Sequence, residues 1–274
     1  MTEVVLERAG QRYVADLGDP LPIAIPLDFD GAQPNHFDAP RARAAPLTHG
    51  HWVGDVLAGG TVNCAALALV PHCNGTHTEC VGHITQDRVS VTSILRGGMH
   101  LARVVTVKPT RVDRTDETTD PLSARDEWVI TAATLQSALD QLPGTSTGLI
   151  LRTLPNDVHK LNRTYEGSAP APYLTLEAAQ LLAAEGIDHL VCDLPSLDRA
   201  HDEGRLQAHR AFWGLPAPSR RSDDARRGHA TITELAWIAP TIRDGWYLLD
   251  LQMPAFVTDA APSRPLLYPL RAHE

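Results

Sequence analysis

The sequence predicts an α/β protein with a mixed sheet and flanking helices. Apolar strand-like runs alternate with helix-like segments between residues 101 and 193, and further strand-like runs lie before and after that region. Strand, helix, strand in this order implies parallel pairing, because the chain must cross over through the helix before it rejoins the sheet. With 274 residues and 43% hydrophobic content, the chain can bury a sizeable core, and we expect a single domain over residues 1–274.

The N-terminal part predicts a long loop laid over a core. Residues 12–60 mix short extended pieces with frequent prolines, which disfavour helices. Because such loops often shape pockets, we expect the segment from about residue 20 to 60 to cover one. The apolar run Thr61–Val70 that follows predicts a strand buried on both faces.

The middle and the end of the chain give the clearest helices and strands. Strands are predicted at 101–107, 148–153, 187–193 and 246–251, and helices at 131–142 and 176–184. Thr175 can cap the second helix and Gly186 can end it. The polar run 111–126 predicts an exposed excursion, and residues 217–228 predict a polar, arginine-containing loop.

The amino-acid composition limits the classes of binding partner that we expect. A formal net charge of −9 without a basic block argues against nucleic acid and favours a small-molecule substrate. No stretch is apolar over the length of a membrane span and residues 1–8 lack the pattern of a leader, so we expect no membrane contact and a cytoplasmic protein. The cysteines do not predict a disulfide framework, and Cys64 and Cys192 lie in apolar runs where buried thiols are usual.

One short segment concentrates groups that bind metals. It reads His72-Cys73-Asn74-Gly75-Thr76-His77-Thr78-Glu79-Cys80-Val81-Gly82-His83. Beyond a turn at Gly75, His77 and Glu79 are two residues apart, so an extended backbone would direct both side chains to one face. His83 is four residues after Glu79, so an extended backbone would direct its side chain to the same face.

These ligand types limit the choice of metal. Imidazole and carboxylate together favour zinc, with manganese as the alternative, over calcium and magnesium, which prefer oxygen ligands. Two rivals remain open. Cys73 and Cys80 with two histidines could form a closed structural zinc site, and the segment could be a histidine-rich loop with ordinary hydrogen bonds.

The same residues resemble a known family, the cyclase family that includes bacterial kynurenine formamidases and isatin hydrolases. Its hallmark is His-x-Gly-Thr-His-x-Asp-x-Pro-x-His. The sequence departs from it by one extra residue between His72 and Gly75, by Glu79 in place of aspartate and by Val81 in place of proline. Downstream the resemblance continues through Gly186-Ile187, Asp193-Leu194-Pro195-Ser196-Leu197-Asp198 and His209-Arg210, so it covers roughly residues 14 to 270.

The resemblance implies the swivelling β/β/α fold of the family, a dimer or tetramer, and one or two zinc or manganese ions. The matching positions imply metal ligation by His72, His77, Glu79, His83, His209 and Glu234. The match of His209 follows from its place after Ser196-Leu197-Asp198, and that of Glu234 from its place before the final strands. Substrate pockets in the family are lined from the N-terminal loop, which makes Phe29, Phe37 and Trp52 the expected aromatic walls.

We therefore expect a metal-dependent hydrolase, arylformamidase-like, that uses a metal-activated water on an amide, formamide or lactam-like carbonyl. His83 is the expected catalytic proton carrier, and Thr76 the expected group that orients a histidine. Two alternatives use the same residues: a metal- or ligand-binding protein without turnover, and a cyclase or dehydratase in which the metal is a Lewis acid.

Overall fold

The computed structural model describes residues 3–8, 10–121, 124, 126–165 and 171–273, and its central feature is a nine-stranded mixed sheet. The strand order is β17 (Ala260–Pro262), β8 (His77–Glu79), β15 (Thr231–Glu234), β14 (His189–Cys192), β12 (Gly148–Thr153), β9 (Met99–Val107), β16 (Gly245–Asp250), β18 (Leu266–Pro269) and β3 (Leu21–Pro22). The four central strands β15, β14, β12 and β9 are parallel, and the strands on either side of them are antiparallel to their neighbours. This arrangement confirms the predicted α/β class with a mixed sheet.

The elements have the following bounds. The strands are β1 Glu3–Arg8, β2 Gln11–Asp16, β3 Leu21–Pro22, β4 Arg43–Pro46, β5 Thr48–His49, β6 Trp52–Val53, β7 Ala65–Ala68, β8 His77–Glu79, β9 Met99–Val107, β10 Thr110–Arg111, β11 Trp128–Ile130, β12 Gly148–Thr153, β13 Tyr173–Leu174, β14 His189–Cys192, β15 Thr231–Glu234, β16 Gly245–Asp250, β17 Ala260–Pro262, β18 Leu266–Pro269 and β19 Arg271–Ala272. The helices are α1 Pro71–Asn74, α2 Val91–Ile94, α3 Ala132–Asp140, α4 Leu176–Ala184 and α5 Gln207–Trp213.

The sheet is buried on both faces. Alternate residues of the parallel strands point to opposite sides, so that Leu151 packs in the core under α3, α4 and α5 while Ile150 packs in a second core on the other face. The first core contains Leu135 of α3, Leu182 of α4 and Phe212 of α5. Because the central strands have apolar neighbours on both faces, they form the rigid part from which the ends of β14 and β15 project polar side chains.

The observed bounds of the central elements agree closely with those predicted from the sequence. Strand β12 and helix α4 have the predicted bounds, and Thr175 caps α4 by accepting a hydrogen bond from the Ala178 N–H at 3.2 Å. Helix α3 begins after Thr131 and ends two residues earlier than predicted. β9 and β14 both lie parallel to β12, as the crossover through helices requires. The predicted excursion 111–126 contains residues 122, 123 and 125, which lie outside the described ones.

The prediction of a doubly buried strand over Thr61–Val70 is wrong. Only β7 is extended there, all four of its residues are exposed, and it pairs with β4 in a two-stranded ribbon. Cys64, expected to be buried, is exposed, whereas Cys192 is buried. Three of the four residues of β7 are alanines, which count as apolar in a pattern but have too little side-chain area to require burial.

The N-terminal segment contains short strands and no helix among its described residues 10–69. Strands β4 and β7 form the ribbon, and β5 and β6 form a hairpin beside it. Across the described part of the chain, no helix is long and apolar enough to cross a membrane; the two longest have nine residues each.

Candidate metal centre

Strand β8 carries the two residues at the centre of the site, His77 and Glu79. It lies between β15 and β17, so that His77 is opposite Glu234 and Glu79 is opposite Ile232. Thr78 points to the other face, where its hydroxyl is 2.7 Å from that of Thr233. His77 and Glu79 therefore leave the same face of the strand, as their spacing predicts, and both are buried.

His72 reaches this face from the short helix α1. Pro71 begins the helix at a position where the missing N–H of proline costs nothing. The turn is thus made by the helix and not at Gly75, whose backbone is extended with φ 175°. His72 reaches the site despite the extra residue of the motif, since its Nδ1 lies 3.0 Å from Glu79 Oε2.

An aspartate that the sequence did not indicate completes this side of the site. Asp259 lies just before β17, where its carbonyl accepts the N–H of Cys80 at 3.0 Å. Its Oδ2 is 2.9 Å from His72 Nε2 and 3.4 Å from His83 Nδ1. No motif marks Asp259; only the pairing of β17 with β8 brings it to His72, 187 residues away.

His83 forms the solvent-facing rim. It lies in a 3-10 turn over Val81–Ile84, with its ring stacked on that of His72 at 4.2 Å between centroids. Its Nε2 is 3.9 Å from Glu79 Oε2, and its side chain is 30% exposed. With His72 at 24% and Asp259 at 38%, this side of the site is open to water and small molecules.

Glu234 closes the buried side. It ends β15, its Oε1 accepts the N–H of Leu197 at 2.9 Å, and its Oε2 lies 3.4 Å from His77 Nε2. The next residue, Leu235, has φ 52°, an unfavourable backbone conformation for a leucine. Thr76 helps to hold it there, because the Thr76 hydroxyl donates to the Leu235 carbonyl at 2.5 Å.

His209 is oriented by Asp198, which belongs to the downstream part of the family resemblance. Helix α5 carries His209, and Asp198 Oδ2 lies 2.6 Å from His209 Nδ1 while both carboxylate oxygens accept N–H groups at the start of the helix. This contact directs His209 Nε2 to Glu79 Oε1 at 3.1 Å and to Glu234 Oε1 at 3.6 Å. A carboxylate on one ring nitrogen is the usual support of a metal-binding histidine.

The protonation of these groups follows from their mutual contacts. Burial opposes a charge on His72, yet the carboxylates of Asp259 and Glu79 outweigh it and raise the pKa of His72 to about 10. Burial alone would raise the pKa of Glu79, but the charge of His83 and the hydrogen bond from His209 hold it well below its ordinary value. The pKa of Asp259 is lowered by its hydrogen bonds to His72 and His83.

The donor atoms fit a divalent cation. Three overlapping groups have all ligand atoms within 4.8 Å of one another: His72, His77 and Glu79; Glu79, His83 and His209; and His72, His83 and Asp259. Glu79 belongs to two of them, with Oε2 toward His72 and Oε1 toward His209. Glu79 Oε2 and His77 Nε2 are buried, and although they lie 3.0 Å from His72 Nδ1 and 3.4 Å from Glu234 Oε2, neither makes a well-directed hydrogen bond within the described chain, as is expected of two ligands of one ion.

The structure places six predicted ligands, namely His72, His77, Glu79, His83, His209 and Glu234, at one site. Thr76 does not orient a histidine as expected; His77 Nδ1 instead lies 3.0 Å from the Gly75 carbonyl, and Thr76 joins Leu235 to Ile25, whose N–H it accepts at 2.8 Å.

The cysteines of the motif stand apart from these groups. The Cys80 thiol donates to the Val89 carbonyl at 3.3 Å, and burial raises its pKa to about 12, which keeps it protonated. Neither Cys73 nor Cys80 belongs to a possible ion-binding group of the described residues. The contacts therefore favour an open site of histidines and carboxylates over a closed thiolate site.

The three expected aromatic walls lie in three different places. Phe29 lines a surface cavity beside β4 and β7, Phe37 packs on the His36 ring with 57% of its surface exposed, and Trp52 lies in the β5–β6 hairpin, 37% exposed. The cavity beside the metal motif, about 440 Å³, is lined by aliphatic and proline side chains and by Asn74, Gly75, Thr76, Ser263 and Arg264, and by none of the six predicted ligands. Contact of the aromatic residues with substrate stays a prediction.

Comparison with known proteins agrees with this architecture. A family model described as "Putative cyclase" matches residues 18–199. Among solved structures, the chain is similar to a predicted metal-dependent hydrolase from Bacillus stearothermophilus, with 14% identity, a TM-score of 0.56, and coverage of 91% of this chain and 98% of that one. It is also similar to an isatin hydrolase bound to the product analogue thioisatinate, with 12% identity, a TM-score of 0.62, and coverage of 92% and 93%.

A third similar structure is isatin hydrolase A from Labrenzia aggregata bound to benzyl benzoate, with 14% identity, a TM-score of 0.58, and coverage of 91% of this chain and 93% of that one. A search of curated proteins finds no match. At these identities the solved structures establish a shared fold. Since the family model matches more than half of the sequence, this chain belongs to the cyclase family, as its motif predicts.

Proposed function

We propose that this protein is a metal-dependent hydrolase that cleaves a non-peptide C–N bond next to a carbonyl, in an amide, formamide or lactam-like substrate. The observation that supports it best is the set of three overlapping ligand groups, in which His72, Glu79 and His83 each belong to two, and which are open on the side of His83. An open position is what separates a catalytic metal site from a structural one.

The donors are imidazole nitrogens and carboxylate oxygens, which suit zinc, or manganese as the alternative. One ion would be held by His72, His77 and Glu79, and a second by Glu79, His83 and His209, with Glu234 beside both. When bound, such an ion lowers the pKa of a coordinated water and polarises a carbonyl group.

His83 is the residue we assign to proton transfer. In the hydrolysis, a water oxygen adds to the carbonyl carbon, the C–N bond breaks, and the leaving nitrogen gains a proton. His83 lies at the open rim, where its Nε2 faces Glu79 and its Nδ1 faces Asp259. A carboxylate on Nδ1 would stabilise the protonated ring and fix its direction. With a single ion held by His72, His77 and Glu79, Nε2 is free to take a proton from the attacking water and give it to the leaving nitrogen. With a second ion on Glu79, His83 and His209, His83 would be a ligand and would not carry the proton.

The size and lining of a neighbouring cavity support this substrate class. The cavity of about 440 Å³ beside the motif has a mostly apolar lining that includes Ile25, Leu27 and Leu69, to which Ser263 and Arg264 add polar groups, and this lining suits a substrate with one apolar ring. Two structural neighbours are described as isatin hydrolases, which supports a ring-bearing amide or lactam for this chain as well. An arylformamide offers the same apolar ring with a smaller carbonyl group.

The experiment begins with protein purified without added metal and analysed for its metal content. The protein is then stripped with a chelator, reloaded with zinc or manganese, and assayed on aryl formamides, lactams and simple amides. We expect turnover only after reloading, and a lower Tm after stripping because ligands from distant segments lose their common partner.

His77→Ala is the test variant, and His229→Ala, whose side chain is 61% exposed, is the matched control. His77→Ala should lose tight metal binding and turnover, while the control keeps both. Unchanged metal content and Tm after exhaustive chelation would contradict the metal assignment. A metal-loaded protein without turnover on the whole panel would contradict the hydrolase assignment.

A further inference from the structure

A second cavity, of about 590 Å³, lies on the other side of helix α5 from the metal centre. Its lining includes four arginines, Arg205, Arg210, Arg220 and Arg226, and one acidic residue, Asp120. Arg210 directly follows His209 on the helix, so that one residue faces the metal centre and the next faces this cavity. The arginine-containing loop predicted at 217–228 supplies two of the four.

Three of the four arginines of this cavity form no ion pair with a carboxylate of the described residues. Asp120 is paired with Arg205, at 3.0 Å between Oδ1 and Nη1. Among the described residues, Arg210 donates to a neutral group, the Ser219 carbonyl, at 2.9 Å and forms no ion pair. Arg220 and Arg226 form no ion pair with any carboxylate of the described residues. In a chain of formal net charge −9, this is a local excess of positive charge.

The cations are also close to one another. Partial burial and the positive charge of Arg220 both lower the pKa of Arg210. Arg226 is held against the end of α5, where a Cβ added at Gly214 would lie 3.3 Å from the Arg226 Cβ. Gly214 has φ 63°, which a side chain would strain. The fold thus keeps like charges together around a concave surface, which costs energy unless an anion compensates them.

We propose that this cavity binds a small anion with two or more negative charges, of the phosphate or carboxylate type. Guanidinium groups recognise both kinds through paired N–H donors, and the cavity has room for a metabolite-sized molecule. The polar wall of Gln180 and Gln207 offers further hydrogen bonds, and Leu176, Leu215 and Pro216 offer apolar contact. This site is separate from the proposed hydrolytic function and does not depend on it.

The test uses the metal-loaded protein and two probes, inorganic phosphate and succinate, in calorimetric titrations at constant ionic strength. We expect saturable binding of one equivalent of at least one probe, with a Kd below about 1 mM, and a rise in Tm. Tighter binding of phosphate assigns a phosphate-type ligand, and tighter binding of succinate a carboxylate-type one. No saturable binding of either probe would overturn the proposal.

The double variant Arg220→Gln with Arg226→Gln should weaken binding by about tenfold or more. Arg221→Gln is the matched control, because Arg221 is adjacent but pairs with Asp223 at 3.2 Å, and it should bind like the unaltered protein. Metal content and Tm without anion verify that both variants fold. An anion affinity that survives in the double variant would place the anion elsewhere, including at the metal, and would also overturn the proposal.

Discussion

Glu79→Asp is the most informative single change at the metal centre. The glutamate carboxylate contacts two histidines at once, with Oε2 at 3.0 Å from His72 Nδ1 and Oε1 at 3.1 Å from His209 Nε2. Removing one methylene withdraws the carboxylate by about 1.5 Å, the length of a C–C bond. The backbone cannot follow, because residue 79 is paired with Ile232 on one side and Ala260 on the other.

Both contacts would therefore lengthen to about 4.5 Å, beyond hydrogen-bond range and beyond the reach of a shared ion. We expect the variant to fold, since the charge and the strand are kept. Metal affinity and turnover should fall by about 10- to 100-fold, which corresponds to about 1.4 to 2.7 kcal/mol.

The assay is a competition titration of the metal-free protein with Zn²⁺ against a chelator of known affinity, followed by turnover at full occupancy. Glu203→Asp is the control, because it makes the same chemical change on a side chain that is 69% exposed. If metal occupancy and rate are unchanged in Glu79→Asp, then Glu79 is not a ligand and the histidines hold the metal without it.

Three further changes test other parts of the structure. Because the metal-free protein keeps a proton on His72 below a pKa of about 10, metal binding must release it, and apparent affinity should rise about tenfold per pH unit from pH 7 to 9; a flat profile would contradict this. Lys160→Met leaves the Asp193 carboxylate buried without its partner at 2.7 Å and should lower the free energy of unfolding by about 3 to 5 kcal/mol in denaturant titrations, whereas a loss under about 1 kcal/mol would refute the pairing. Cys73→Ala and Cys80→Ala should leave metal content nearly intact; loss of the metal in either would restore the closed thiolate site.

Local patterns account for what could be predicted. Strand β12 and helix α4 have the predicted bounds because the continuous apolar run of β12 and the Thr175 cap of α4 are encoded within a few residues. His77 and Glu79 could be placed on one face by their spacing alone. The other predicted ligands of the motif were inferred from its resemblance to a family whose fold this chain shares, and metal binding by them stays a prediction.

What could not be predicted depends on long-range pairing. Asp259 reaches His72 only because β17 pairs with β8, and nothing near Asp259 in the sequence indicates that neighbour. Asp198 belongs to a segment that resembles the family, but its contact with His209 requires the start of α5 to lie beside it in the fold. Strand β7 is a different kind of wrong prediction, because its alanine-rich apolar pattern suggested burial but the fold leaves the strand exposed.

The position of β8 between two late strands also has a consequence for biosynthesis. Thr78 pairs with Thr233, 155 residues away, and His72 meets Asp259, 187 residues away. During synthesis the histidine-rich segment is therefore made long before its partners exist, with both edges of its strand unpaired. His72, His77 and Glu79 are made together, but His209, Glu234 and Asp259 follow much later, so the complete site forms only in a nearly finished fold.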